Sequence, residues 1–133
     1  MAQRTKVMVV DDNADCLRLV GRMLATQGFD VLSAQSGAAA LEVLQTESPD
    51  ILLLDVMMPD MTGFQVLETV REHARHYALP VIMLTASTND DDVMTAYQYG
   101  SDYYITKPFT SEQLRYGIDL VLGGQTAAMA KQA

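Results

Sequence analysis

The sequence predicts an α/β domain, (βα)5, built on a doubly wound five-stranded parallel sheet, and three observations predict it. Apolar, β-rich runs recur five times, segments with helical apolar spacing separate them, and the connections are short. Strict alternation of this kind gives parallel strands joined by right-handed helical crossovers.

The elements follow in order. Strands are expected at Lys6–Val10, Val31–Ala34, Ile51–Leu54, Val81–Leu84 and Tyr103–Thr106. The third, four aliphatic residues without polar alternation, has the signature of a strand covered on both faces. The first helix, about Ala14–Gln27, aligns Leu17, Val20 and Leu24 and stops at Gly28, a natural helix-ending residue. A second helix starts after Ser36 and buries Ala40, Leu41 and Leu44; a third carries Phe64, Leu67 and Val70. Asn89–Asp92 supply a cap and negative charge at the start of the fourth, which Gly100 ends. Thr110 and Gln113 form a capping box for the fifth, whose Leu114, Ile118, Val121 and Leu122 make an inward stripe. Residues 1–122 thus form one domain, and Gly123–Ala133 reads as a tail, a linker or a weak helical extension. For five strands of this size the commoner order is flavodoxin-like, 2-1-3-4-5, with a crevice beyond the carboxyl ends of the first and third strands.

Composition narrows the function classes. No apolar stretch is long enough to cross a membrane, and the N-terminus lacks the pattern of a secretory signal, so a cytoplasmic location is expected. Cys16 is the single cysteine, which rules out an internal disulfide or thiolate cluster and reads as a small core residue. A formal charge of −8 opposes direct binding to nucleic acid or to anionic lipid. His73 and His76, near the end of the third helix, lack a framing carboxylate and read as solvated; the nine methionines read as gap-filling core and loop residues.

What stands at the strand ends carries the chemistry. Asp11 and Asp12 follow the first strand, Asp55 the third, Thr85 the fourth and Lys107 the fifth. A carboxylate at the end of a buried strand is costly unless it is hydrogen-bonded, paired or protonated. Each of these residues alone has an ordinary reading, as a helix cap, a β-branched strand residue or a surface lysine. Their arrival at one edge does not. Three converging carboxylates call for a hard dication, and oxygen-only ligation suits Mg²⁺, with Mn²⁺ an acceptable substitute.

Here the sequence resembles the receiver domain of two-component response regulators, over roughly Lys6 to Leu122. "VVDDN", "LLLDVMMPDMTG", "MLTA" and "YYITKPF" match the family's acidic pair, phosphoacceptor segment, hydroxyl residue and lysine–proline pair in the right order. The resemblance implies that Asp55 accepts a phosphoryl group from a sensor histidine kinase or phosphotransfer protein. It further implies that Asp12, Asp55 and the backbone carbonyl of Met57 hold Mg²⁺, that Asp11 positions the ion through water, and that Lys107 and Thr85 contact the phosphoryl oxygens. Tyr104 becomes the switch residue, with Thr85, and the fourth helix, fifth strand and fifth helix become the surface for an output domain or partner. Alternation along the strand puts Tyr103 and Tyr104 on opposite faces. Met57 and Ser87 border the path of hydrolytic water; neither orients one well, and slow self-dephosphorylation is expected. Tyr103 and Gly117 stand where winged-helix regulators of this kind carry the aspartate and arginine of a symmetric dimer, so the chain is expected to be a monomer or a phosphorylation-dependent dimer. A haloacid-dehalogenase-type phosphatase needs a second aspartate where Met57 stands. A flavodoxin-type FMN module needs a phosphate loop where Asp11 and Asp12 stand. The remaining alternative is a non-phosphorylated receiver-like scaffold; the presence of every chemical residue disfavours it.

Overall fold

A computed structural model describes residues 4–86 and 90–132, and the expected caps at Asn89 and the border residue Ser87 lie outside them. The elements are β1 (Lys6–Val10), α1 (Ala14–Thr26), β2 (Asp30–Ala34), α2 (Gly37–Thr46), β3 (Ile51–Asp55), α3 (Gly63–Glu72), β4 (Val81–Thr85), α4 (Asp90–Gln98), β5 (Tyr103–Thr106) and α5 (Ser111–Gln132). All five strands are parallel in the order β2-β1-β3-β4-β5. α5 runs through the expected tail to Gln132. No helix among the described residues is long and apolar enough to cross a membrane.

The alternation of strand side chains divides the interior into two cores. Met8, Val10, Leu52, Leu54, Val81 and Met83 pack with Ala40 and Leu44 of α2, Leu67 and Val70 of α3 and Ala96 of α4. Val7, Val9, Ile51, Leu53, Ile82, Leu84 and Ile105 pack on the other face with Val20, Leu24, Leu114 and Ile118 of α1 and α5. Because β1, β3 and β4 are covered on both faces, their residues are buried almost without exception, as an unbroken apolar run requires.

Helix starts are fixed by side-chain caps. Asn13 accepts from the Cys16 N–H, Ser36 from Ala39, and Thr62 pairs reciprocally with Gln65 as a capping box. The same reciprocal pair joins Thr110 and Gln113.

Two clamps tie helices to neighbouring loops. Arg71 of α3 donates to the carbonyls of Gly100 (2.7 Å), Leu79 (2.6 Å) and Tyr77 (3.3 Å) and reaches Asp102 at 3.3 Å. Gly100, just past α4, has φ +100°, a conformation that L side chains rarely adopt, and a Cβ there would lie 2.9 Å from the Arg71 Nε. Phe64 of α3 stacks on Tyr99 with ring centroids 5.8 Å apart. The second clamp corrects an expectation. His76 is buried, not solvated: its Nε2 lies 2.7 Å from the Leu44 carbonyl, and Arg75 donates to the carbonyls of Leu44 and Gln45. The end of α2 leaves carbonyls without helical partners, and these two side chains satisfy them across the fold. His73 stays exposed, its ring 4.8 Å from that of His76.

Candidate functional site

The carboxyl ends of β1, β3, β4 and β5 meet at one edge of the sheet, and register decides what they bring. Asp55 is the last residue of β3, opposite Leu84, and Thr85 ends β4 opposite Thr106. The Lys107 N–H donates to the Thr85 carbonyl at 2.7 Å, which holds the start of the β5–α5 loop against β4. Asp11 follows β1 directly, its N–H bonded to the Ala34 carbonyl of β2. The topology thus supplies a crevice, and charged side chains fill it.

One carboxylate oxygen from each of Asp11, Asp12 and Asp55 lies within 4.8 Å of the other two. Asp11 and Asp55 are buried, at 2% and 6% exposure, while Asp12 is exposed. Lys107 supplies the cation, and the resemblance pairs it with Asp55, but its nearest partner is Asp11. Its Nζ sits 2.7 Å from Asp11 Oδ2 and 3.7 Å from Asp55 Oδ2. Asp11 also accepts from the Asn13 N–H at 2.9 Å. Thr85 is buried beside this cluster at the end of β4.

The electrostatics differ between the two buried carboxylates. Burial pushes the Asp11 carboxyl up, but the bonds from Lys107, the Asn13 N–H and the Cys16 thiol outweigh it and leave the group below its ordinary value. Burial pushes Asp55 up to about 6; Lys107 and the Met57 N–H pull against this, and Asp11 and Asp12 add to it. Lys107 is held above its ordinary value: the bond to Asp11 and the field of Asp55 overcome its own desolvation. Cys16 is pushed up to about 11 by burial and by its bond to Asp11, so the thiol is inert at neutral pH. The cluster is therefore short of positive charge at Asp55. Hard oxygen donors with an uncompensated negative charge fit a small dication, and the residues present fit Mg²⁺ on that ground.

The flanking loop is held tightly at its base. The Gly63 N–H donates to the Val56 carbonyl at 2.7 Å, and a Cβ on Gly63 would lie 2.3 Å from the Asp55 carbonyl oxygen. The chain can close on Asp55 because residue 63 has no side chain. Met57 extends from this loop with its side chain 68% exposed. Tyr104 is half-buried against the core that α2, α3 and α4 cover, and Tyr103 against the core of α1 and α5, so the two rings lie on opposite faces. Lys107–Pro108 is a cis peptide bond. Sequence reading did not find the Asp11–Lys107 pairing, because it depends on side-chain reach across strand ends, nor the thiol beside Asp11.

A fold of this topology with acidic and basic residues at its strand ends defines a class, and the comparisons agree with it. The family model for the response regulator receiver domain matches residues 7–119, and the chain belongs to that family, a class of phosphoacceptor signalling domains in two-component systems. It is 38% identical over 120 residues to "Probable transcriptional regulator ycf27" of Porphyridium aerugineum, covering 90% of this chain and 49% of that protein. It is 34% identical over 117 residues to "Alkaline phosphatase synthesis transcriptional regulatory protein PhoP" of Bacillus subtilis, covering 88% of this chain and 48% of that one. The chain thus spans about half the length of these curated relatives. Among solved structures, the chemotaxis protein CheY4 of Vibrio cholerae matches with a TM-score of 0.87 and 32% identity, over 90% of this chain and all of that one.

Proposed function

We propose that Asp55 is the phosphoacceptor, and that the domain takes a phosphoryl group from a phosphohistidine on a sensor kinase or phosphotransfer protein. The observation that supports this most is the convergence of Asp11, Asp12, Asp55 and Lys107 at the strand ends. An Asp55 oxygen attacks phosphorus in line, the P–N bond breaks, and the imidazole departs. Little covalent help is needed; position and charge carry the reaction. With its carboxyl at about 6, Asp55 is ionised at neutral pH and competent as the nucleophile. Lys107, drawn to both buried carboxylates, is within reach of a phosphoryl oxygen once Asp55 carries one. Thr85 serves a second oxygen. Asp12, Asp55 and the Met57 carbonyl would hold Mg²⁺, or Mn²⁺ in its place, with Asp11 acting through water. When bound, the ion supplies the positive charge that the cluster lacks.

A turnover phosphatase is disfavoured because residue 57 would have to deliver a proton to a leaving group, and an exposed thioether has none to give. The domain assists its own phosphorylation and dephosphorylation without being a turnover enzyme. Output runs through α4, β5 and α5 toward a further domain or partner, with Thr85 and Tyr104 as the switch. Residues 1–122 form the receiver unit, and 123–132 act as its helical extension. At the places where winged-helix regulators carry their dimer charges, a Cβ on Gly117 would lie 3.2 Å from the Tyr103 ring; a packed contact stands there. A phosphorylation-dependent association would use other contacts. The test is loading with acetyl phosphate or beryllofluoride in the presence of Mg²⁺, read by intact mass and by amide NMR shifts. One equivalent on the wild type and none on Asp55→Asn is expected; equal loading of both would overturn the assignment.

A further inference from the structure

The loop that follows Asp55 is fastened at two places, and only one of them lies at its base. The second is Asp60, whose Oδ1 accepts from the Gly37 N–H at 3.1 Å and whose Oδ2 accepts from the Ala38 N–H at 2.9 Å. These amides are among the first of α2, which leave the helix without internal partners, and a carboxylate suits both their hydrogens and the positive end of the helix. The same two bonds hold the Asp60 carboxyl below its ordinary range. Ser36 already caps α2 through the Ala39 N–H, so Asp60 is a second cap that reaches in from another part of the chain. Beside it Met61 lies over Gly37, where a Cβ would come within 2.2 Å of the Met61 Cγ. The bare glycine lets the loop descend onto the helix end.

We infer that Asp60 is a positioning residue for the site: by holding the apex of the loop 56–62 on the N-terminus of α2, it holds Met57 where its carbonyl can complete the cation shell. The inference rests on the proposed role of the Asp11–Asp12–Asp55 cluster. With the base closed on Asp55 and Val56 and the apex bound to α2, Met57 lies between two fixed points. Release of the apex leaves one of them. A ligand carbonyl on a loop free at one end must be ordered as the ion binds, and affinity falls by that cost. Reciprocity gives a second signature: an ion that favours the closed loop must also strengthen the cap on α2.

The test measures Mg²⁺ affinity by calorimetry on the full chain, together with amide hydrogen exchange at Gly37 and Ala38. Asp60→Ala is expected to raise the Mg²⁺ dissociation constant about 3- to 10-fold, below the usual loss for a group bonded directly to a metal ligand. Asp60→Asn, which keeps one acceptor but no charge, should fall between the wild type and Asp60→Ala. Ser36→Ala uncaps the same helix without touching the loop, and should lower stability while leaving affinity unchanged. In the wild type, Mg²⁺ should slow exchange at Gly37 and Ala38; in Asp60→Ala it should not. Equal weakening by Asp60→Asn and Asp60→Ala that vanishes at high salt would reduce the effect to distant charge and overturn the inference. So would unchanged affinity in Asp60→Ala while Asp12→Ala abolishes binding. If the wild type binds no Mg²⁺ at all, the reading of the cluster falls first, and the inference with it.

Discussion

At the scale of the residue, the two buried carboxylates at the strand ends act in opposite directions on stability. Asp55 titrates near 6 in the fold against an ordinary value of 3.8, so its protonated form is favoured by folding. Its stabilising contribution is complete below pH 3.8 and is lost as pH rises through 6. Burial is the main cause; Asp11 and Asp12 add to it, and Lys107 and the Met57 N–H pull against it. Asp55→Asn should therefore stabilise the Mg²⁺-free protein at pH 8 by about 1–3 kcal/mol, and by little at pH 4. Denaturant midpoints at both values check this; a constant difference would show that Asp55 is not strained by its charge. Met57 is a residue-scale expectation of another kind. It is exposed and apolar, and Met57→Asn should shorten the lifetime of the phosphorylated state by giving water an oriented partner, followed as phosphate release after excess donor is removed. The identities of Asp11, Asp12, Asp55, Thr85 and Lys107 were legible because each stands at a strand end. Which carboxylate Lys107 prefers, and the burial of His76, were not: both depend on how far a side chain reaches across elements that are distant in sequence.

Elements were the most legible scale. The five apolar runs and the glycine and capping residues between them located all the strands within a residue, because an unbroken aliphatic run has few other uses in a chain this short. Less visible was how loops lie on helices. Asp60 and Gly37 are 23 residues apart, and neither looks unusual in its own neighbourhood. Gly63 shows what such proximity demands. A Cβ there would meet backbone, the Asp55 carbonyl oxygen at 2.3 Å, which cannot rotate away as a side chain can. Gly63→Ala gains some helix propensity at the start of α3, less than about 1 kcal/mol, and must displace the loop base at a cost of about 1–3 kcal/mol. Net destabilisation is expected in thermal melts, together with weaker Mg²⁺ binding; a melt unchanged from wild type would show that the loop base yields freely.

At the scale of the whole molecule, two cores cover the sheet on both faces, and the strand-end cluster is where folding and the proposed cation binding would meet. A ligand that binds only the folded state adds stability by mass action, about 2.7 kcal/mol at a hundred times its dissociation constant, or roughly 9 °C in midpoint for a chain of this length. Mg²⁺ should raise the melting midpoint by that order in the wild type and hardly at all in Asp12→Ala. Asp11→Ala should lower the midpoint even without the ion, since it takes from Lys107 its 2.7 Å partner. A shift of equal size in all three proteins would mean that Mg²⁺ acts elsewhere. The Arg71 clamp belongs to the helices on one of those faces. It fastens the end of α4 through Gly100, and the Phe64–Tyr99 stack secures the same end. α4 is thus gripped just past its C-terminal end by two side chains of α3, which couples the two helices there. A partner seated on this helix would therefore feel α3 as well, since a load at Tyr99 or Gly100 passes into Phe64 and Arg71.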